Sequence, residues 1–185
     1  MPLLMLKNLP RYECLLEAAK EFPDLDPSAS EAFLHLLHAG DECFRAVESH
    51  LASHNITQGR FSVLMSLMNQ CRGDGSVAAL SPAELADRTG VTRATMTGLV
   101  DTLERDGLVT RAPDTQDRRM MAVCLTLKGR EVLHEILPEH FRRMATLMQS
   151  LSESERKTLV GLLHKIKAQA AEIAPLPAAQ VPVPV

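Results

Sequence analysis

The sequence predicts a mainly α fold that carries one small β-hairpin. Three observations point there. Apolar residues recur at helical spacing through most of the chain; two short helices are joined by a glycine turn between residues 81 and 107; and one pair of alternating segments brackets a polar run near residue 117. The 185 residues suffice for one domain with extensions. Hydrophobic residues make up 45% but aromatics only 3%, with nine Met and no Trp, so the core must be built from Leu, Val, Ala and Met.

A weakly amphipathic segment from Arg11 to Phe22 ends at FPDLDP, whose prolines and aspartates break a helix, so residues 1–27 are expected to be an N-terminal extension. Ser28, with Glu31 three residues on, has the spacing of a capping box, and Phe33, Leu36, Leu37, Gly40, Phe44, Val47 and Leu51 follow at helical period to His54. Thr57 is placed to cap a second helix with Phe61, Leu64, Met65 and Met68 as its buried stripe, ending before the RGDGS loop. These helices span 28–72.

LSPAELADRTGVTRATMTGLVDTLERDG follows. Ser81 caps a helix with Pro82 at its first position and Glu84 completing the box, and Gly90 can adopt the positive φ of a tight turn. Thr92 then caps a second helix. Its Met96, Leu99, Val100 and Leu103 share one face, Gly107 ends it, and the opposite face bears Arg93, Ala94, Thr97 and Gly98. With Ala86 small enough for close helix approach, this is a helix-turn-helix. An ordinary helical hairpin would place long charged side chains on that face. Here the first turns carry Thr92, Arg93, Thr95 and Thr97, which suit base edges and phosphates.

Leu108 to Thr110 reads as a strand, PDTQD as a turn, and Met121, Val123 and Leu125 alternate with Met120, Ala122 and Cys124 in the return strand. Asp117, Arg118 and Arg119 therefore fall at a hairpin tip. A hairpin directly after a recognition helix is a wing, whose arginine can enter the minor groove where negative potential concentrates. Asp117 can brace one guanidinium while the other faces outward, and the residues alone leave open which of Arg118 and Arg119 is the braced one. Net charge is −3, but residues 107–130 hold five basic against two acidic groups, so the local field favours nucleic acid.

Thr126 caps a long helix with Leu133, Ile136, Leu137, Phe141, Met144, Leu147 and Met148 inward and a kink expected at Pro138. Ser152 and Glu155 box the start of a last helix bearing Leu159, Leu162, Leu163 and Ile166. These stripes exceed what one small lobe can bury, so residues 131–173 should pair with a second copy in a homodimer. The Pro-rich tail 174–185 cannot be helix.

The Asp117-Arg118-Arg119 run leading to Leu125-Thr126, then Lys128-Gly129-Arg130, together with VTRATMTGLVDTLERDGLVTR, resembles the MarR family of bacterial transcription regulators, over roughly residues 30–170. The resemblance implies a winged helix-turn-helix lobe (residues 73–130) on a helical dimerisation lobe. It further implies a dimer binding a pseudo-palindromic DNA operator, with affinity modulated by a small-molecule effector, commonly an aromatic anion, in a crevice between lobes. Ser81, Thr92, Arg93, Ala94, Thr95, Thr97, Gly98, Arg118 and Arg119 are then the expected DNA contacts, with Asp117 as brace. His35, His38, Arg60, Met65 and Met68 are the expected border of the crevice. The ligand-stacking tryptophan of the urate-responding branch has no counterpart in a chain without Trp, and Cys43 lies too late for the peroxide-sensing cysteine.

Other chemistries are less well supported. Cys14, Cys43, Cys71 and Cys124 form no CxxC pair, which argues against disulfides and structural zinc. His50 and His54 stand four apart without a third ligand at matching spacing, so no metal is expected. A metal- or thiol-responsive regulator of the same fold remains the alternative. A small helical enzyme ranks lower, because no nucleophile motif or phosphate-cradling glycine loop appears and no catalytic residue or cofactor is expected. The segment MPLLMLKNLP is too short and too broken by proline for a signal peptide, and no apolar window can span a bilayer, so a cytoplasmic protein without a membrane partner is expected.

Overall fold

The computed structural model describes residues 8–68, 79–113 and 121–173. The chain divides into two compact units, Met1–Met144 and Ala145–Val185. Seven helices and one hairpin lie among the described residues: α1 (Tyr12–Glu21), α2 (Pro27–Ser53), α3 (Gln58–Met68), α4 (Pro82–Thr89), α5 (Arg93–Arg105), β1 (Val109–Pro113), β2 (Met121–Leu125), α6 (Leu127–Leu147) and α7 (Glu153–Glu172). None of these helices is long and apolar enough to cross a membrane.

α1 packs on α2 and buries Leu15. The cap of α2 differs from expectation. Asp26, not Ser28, is the N-cap: its carboxylate accepts from the backbone N–H groups of Ser28 (2.9 Å) and Ala29 (3.1 Å), and the Ser28 hydroxyl donates to it at 3.0 Å. Pro27 at the first helical position explains the shift, since its fixed φ starts the helix one residue ahead of the serine. The Ala29 N–H first, and the Ser28 hydroxyl second, hold the Asp26 carboxyl below its ordinary 3.8.

In the first unit α3 packs against α2, α4, α5 and β2. Leu64, Leu67, Leu85, Met96, Val100, Leu103, Val123, Leu133 and Ile136 are all fully buried there. Each such side chain contributes about 1.5–3 kcal/mol relative to exposure. The stripe of α3 is Phe61, Val63, Leu64 and Leu67, whereas Met65 and Met68, expected inside, are only half-buried. β1 and β2 pair antiparallel from Val109 opposite Leu125 to Pro113 opposite Met121, and Leu80 adds a single bridge to Val123 on the other side of β2. Among the described residues β1 is therefore an open edge.

α6 is joined to the α5–β1 turn by a compact set of bonds. The Thr126 hydroxyl accepts from the Gly129 N–H at 3.0 Å, capping α6 as expected, and lies 2.8 Å and 3.0 Å from the carbonyls of Gly107 and Leu108. The Lys128 ammonium donates to the Asp106 carbonyl at 2.8 Å. A cation and a hydroxyl thus meet the carbonyls that follow the C-terminus of α5, where the helix dipole favours positive charge. α6 runs through Pro138, and Leu133, Ile136 and Leu137 are buried as expected, but Phe141 and Met144 are exposed in the single chain.

α7 forms the helix of the second unit. Ser152 and Glu155 make the expected capping box, and all its described side chains are exposed, Leu159, Val160, Leu162, Leu163 and Ile166 included. On α2, Phe33 and Phe44, which fall on the stripe set by the helical period, are likewise exposed in the single chain.

Candidate DNA-binding interface

The helix-turn-helix is built from local signals. Ser81 accepts from the Glu84 N–H at 3.2 Å, and the Glu84 carboxylate accepts in return from the Ser81 N–H at 2.8 Å. The helix α4 ends at Gly90 with φ of 69°, a conformation only glycine adopts without strain, and the Val91 N–H folds back on the Ala86 carbonyl at 3.2 Å. Ala86 is buried at that crossing. α5 restarts from Thr92, whose hydroxyl accepts from the Thr95 N–H at 3.1 Å. It ends in a Schellman closure, with Gly107 N–H on the Glu104 carbonyl and Leu108 N–H on the Leu103 carbonyl, both at 2.9 Å, and Gly107 at φ 74°.

Arg93, Ala94, Thr95, Thr97 and Gly98 are all exposed on α5, as is the cap Thr92, while Met96, Val100 and Leu103 are buried behind them. Ser81 is half-buried with its hydroxyl in the α4 capping box. The threonines hold one another in place. The Thr92 and Thr95 hydroxyls are 2.9 Å apart and the Thr97 hydroxyl donates to the Arg93 carbonyl at 3.0 Å, leaving lone pairs to accept from a ligand. Gly98 is informative in a different way. A Cβ built there meets nothing within 4 Å, so nothing among the described residues requires glycine in mid-helix, where it costs about 0.5–1 kcal/mol relative to alanine. With Ala94 one turn earlier, it leaves the exposed face of α5 low enough for another backbone to approach.

Sequence reasoning missed the bridge between this helix and the hairpin. Arg111 on β1 donates through one guanidinium nitrogen to Glu104 and through another to Asp101, and its backbone N–H donates to Glu104 Oε1 at 3.0 Å. The Asp101 bond first, and the Glu104 bond with it, raise the guanidinium above its ordinary pKa. Asp117, Arg118 and Arg119 lie outside the described residues, as do Asp114 and Cys71.

The residues expected around an effector are distributed over two helices. Arg60 is anchored, pairing with Asp106 and donating to the Asn55 carbonyl at 3.3 Å, while its buried Nε has no hydrogen-bond partner among the described residues. Met65 and Met68 are half-buried on the same helix. His35 is exposed and His38 half-buried on α2, and the hydrogen bonds of the described residues join neither to Arg60. Three other histidines do converge. His50 Nε2 donates to the Ile136 carbonyl at 3.1 Å, its ring lies 5.1 Å from that of His54 and 6.5 Å from that of His140, and His140 sits 4.7 Å from the Phe61 ring with a buried Nδ1 that no described group satisfies. Burial first, and His50 second, lower the His140 pKa. Only the His50–His54 spacing was visible in sequence. Among the described residues no three His, Cys, Asp or Glu side chains are grouped to hold a metal. Burial pushes the Cys124 thiol above its ordinary 9.0, away from thiolate reactivity.

The MarR family model matches residues 54–120, which span α3, the helix-turn-helix and the start of the hairpin. The repressor YetL of Bacillus subtilis is 36% identical over 158 residues, covering 85% of this chain and 92% of that protein. Two solved structures superpose over much of the chain. BpsR of Bordetella bronchiseptica, described for regulation of its DNA binding by 6-hydroxynicotinic acid, gives a TM-score of 0.62 at 27% identity, covering 72% of this chain and 91% of that one. A cysteine-to-serine mutant of MarR from E. coli, complexed with operator DNA, gives 0.60 at 25% identity, covering 74% and 91%. Both the helix-turn-helix geometry of α4 and α5 and these likenesses lead to one assignment: the chain belongs to the MarR family of transcriptional regulators, DNA-binding winged helix-turn-helix proteins rather than enzymes.

Proposed function

We propose that the protein is a homodimeric repressor that places α5 of each subunit in successive major grooves of a pseudo-palindromic operator and releases it on binding a small aromatic anion. The observation that carries the DNA reading is the α5 surface itself: Arg93 and Thr97 stand beside an exposed floor of Ala94 and Gly98, and no described neighbour requires glycine at position 98. Arg93 is suited to guanine edges, and the threonines to bases and phosphates. Arg118 is the proposed minor-groove reader and Asp117 the brace of Arg119. Dimerisation is supported by the exposed Phe33, Phe44, Phe141 and Met144 and by the uncovered apolar face of α7. YetL is a repressor and BpsR responds to a hydroxylated pyridine carboxylate, which supports the regulatory sense and effector class. The proposed effector site comprises Arg60, Met65, Met68, His35 and His38, with the Arg60 guanidinium as the anion partner.

The test is a footprint of the full-length protein on the DNA beside its own gene, repeated with hydroxylated benzoates and pyridine carboxylates. Protection of two half-sites about one helical turn apart, lifted by an aromatic acid in the wild type but not in Arg60→Ala, is expected. Light scattering should give a dimer at micromolar concentration. Protection that no aromatic acid relieves removes the effector half of the reading. Absence of any protected site removes the DNA half.

A further inference from the structure

Arg111 faces the open edge of the hairpin. Its strand partner Val123 turns its own backbone the other way, exchanging bonds of 2.8 Å and 3.1 Å with Leu80, so the Arg111 N–H has no strand acceptor among the described residues. Glu104 takes its place, accepting that N–H at 3.0 Å and gripping the guanidinium of the same residue. Asp101, three residues earlier on α5, takes the second guanidinium nitrogen. One side chain thus ties the strand that leads into the wing to two successive turns of the recognition helix.

Stability alone does not account for this arrangement. The side chains of Arg111, Asp101 and Glu104 are 25%, 56% and 37% exposed, and pairs that wet add little to folding. Their position is more telling. Asp101 follows Ala94 and Gly98 at helical spacing and continues the low stripe of α5, while Glu104 continues the stripe of Arg93 and Thr97. A free carboxylate on either stripe would face phosphates with the wrong sign.

We propose that Arg111 is a positioning residue for DNA recognition: its fork across Asp101 and Glu104 sets the angle between the recognition helix and the wing and keeps both carboxylates turned from the phosphates. This rests on the DNA-binding reading above. Arg111 acts through the geometry of α5 and β1 and touches no phosphate itself.

The test measures operator and random-duplex binding by fluorescence anisotropy across a salt series for the full-length wild type, Arg111→Gln, Arg111→Glu and the swap Arg111→Glu with Glu104→Arg. Arg111→Gln should bind operator roughly tenfold or more weakly. Its salt slope should match wild type and its melting temperature should stay close. The swap should recover to within about threefold of wild type, while Arg111→Glu alone should not. A slope lowered by about one per subunit would make Arg111 a direct phosphate contact and overturn the proposal. Wild-type binding by Arg111→Gln would overturn it too, as would a swap that melts like wild type yet binds as weakly as Arg111→Glu. Should Arg111→Gln lose stability as well, the swap decides, because it restores an ion pair between α5 and β1 without an arginine at position 111. A wild type that binds operator and random DNA alike would instead reject the underlying DNA reading.

Discussion

Gly129→Ala should destabilise the protein even though alanine is the better helix former. Gly129 opens α6 against the α5–β1 turn, and a Cβ there would stand 2.1 Å from the Leu108 carbonyl oxygen, 3.1 Å from its carbon and 2.8 Å from Leu125 Cδ1. The leucine tip can rotate away, but the backbone carbonyl cannot: it accepts from the Thr126 N–H at 3.1 Å and lies 3.0 Å from the Thr126 hydroxyl. The start of α6 must therefore move off by about an ångström, straining the packing and loosening both bonds. Overpacking costs about 1–3 kcal/mol and two weakened hydrogen bonds a similar amount, while helix propensity returns about 1 kcal/mol, leaving a net loss of about 3 kcal/mol. At fixed protein concentration this should lower the melting temperature by roughly 6–12 °C. Urea unfolding of both proteins gives the comparison directly. A variant as stable as wild type would refute the close approach of α6 to the Leu108 carbonyl, and with it the account of why glycine follows Leu-Thr-Leu-Lys.

Three further outcomes follow from the same geometry. Gly98→Ala should raise stability by about 0.5–1 kcal/mol because its methyl meets open space, whereas Gly98→Gln should keep the fold but lose operator binding; a Gly98→Gln protein that binds normally would place the DNA elsewhere. Thr92→Ala removes the α5 cap and should cost about 1 kcal/mol in urea unfolding, with no loss pointing to a cap supplied by another group. His140 is held below its ordinary 6.5, so the folded protein binds fewer protons than the unfolded chain just under that pH and stability should fall as pH drops through it. His140→Gln should reduce that fall between about pH 7.5 and about pH 5.5, and an unchanged fall would assign it to other groups.

What the sequence revealed were features whose cause is local. A serine three residues before a glutamate, a glycine after a short amphipathic run and a threonine ahead of Arg-Ala-Thr each decide a helix end by contacts within one turn; α4 and α5 begin and end, and α7 begins, where those residues placed them. Local signals also compete. FPDLDPSASE offers Asp26 and Ser28 as caps for one helix, and the proline between them, rather than the better-known serine box, decided it. The Arg111 fork, the Arg60–Asp106 pair and the His50, His54 and His140 group were not legible, because each joins elements whose approach depends on packing. Helical period marked Phe33, Phe44, Phe141 and Met144 as apolar faces correctly but could not say what covers them. The hairpin was read from alternation alone, and the role of Thr126 in joining it to α6 needed the carbonyls of Gly107 and Leu108 to be placed.

The most direct test of α5 as the sequence-reading helix compares Arg93→Ala and Thr97→Ala with wild type on the operator and on a random duplex of equal length. Both side chains are exposed and neither is part of the core, so the fold should survive each change. Operator affinity should fall by about 1–3 kcal/mol with little change on random DNA, so that discrimination narrows. Equal losses on both duplexes would show that these residues only grip the backbone, and would contradict the assignment of α5 as the reader of base sequence.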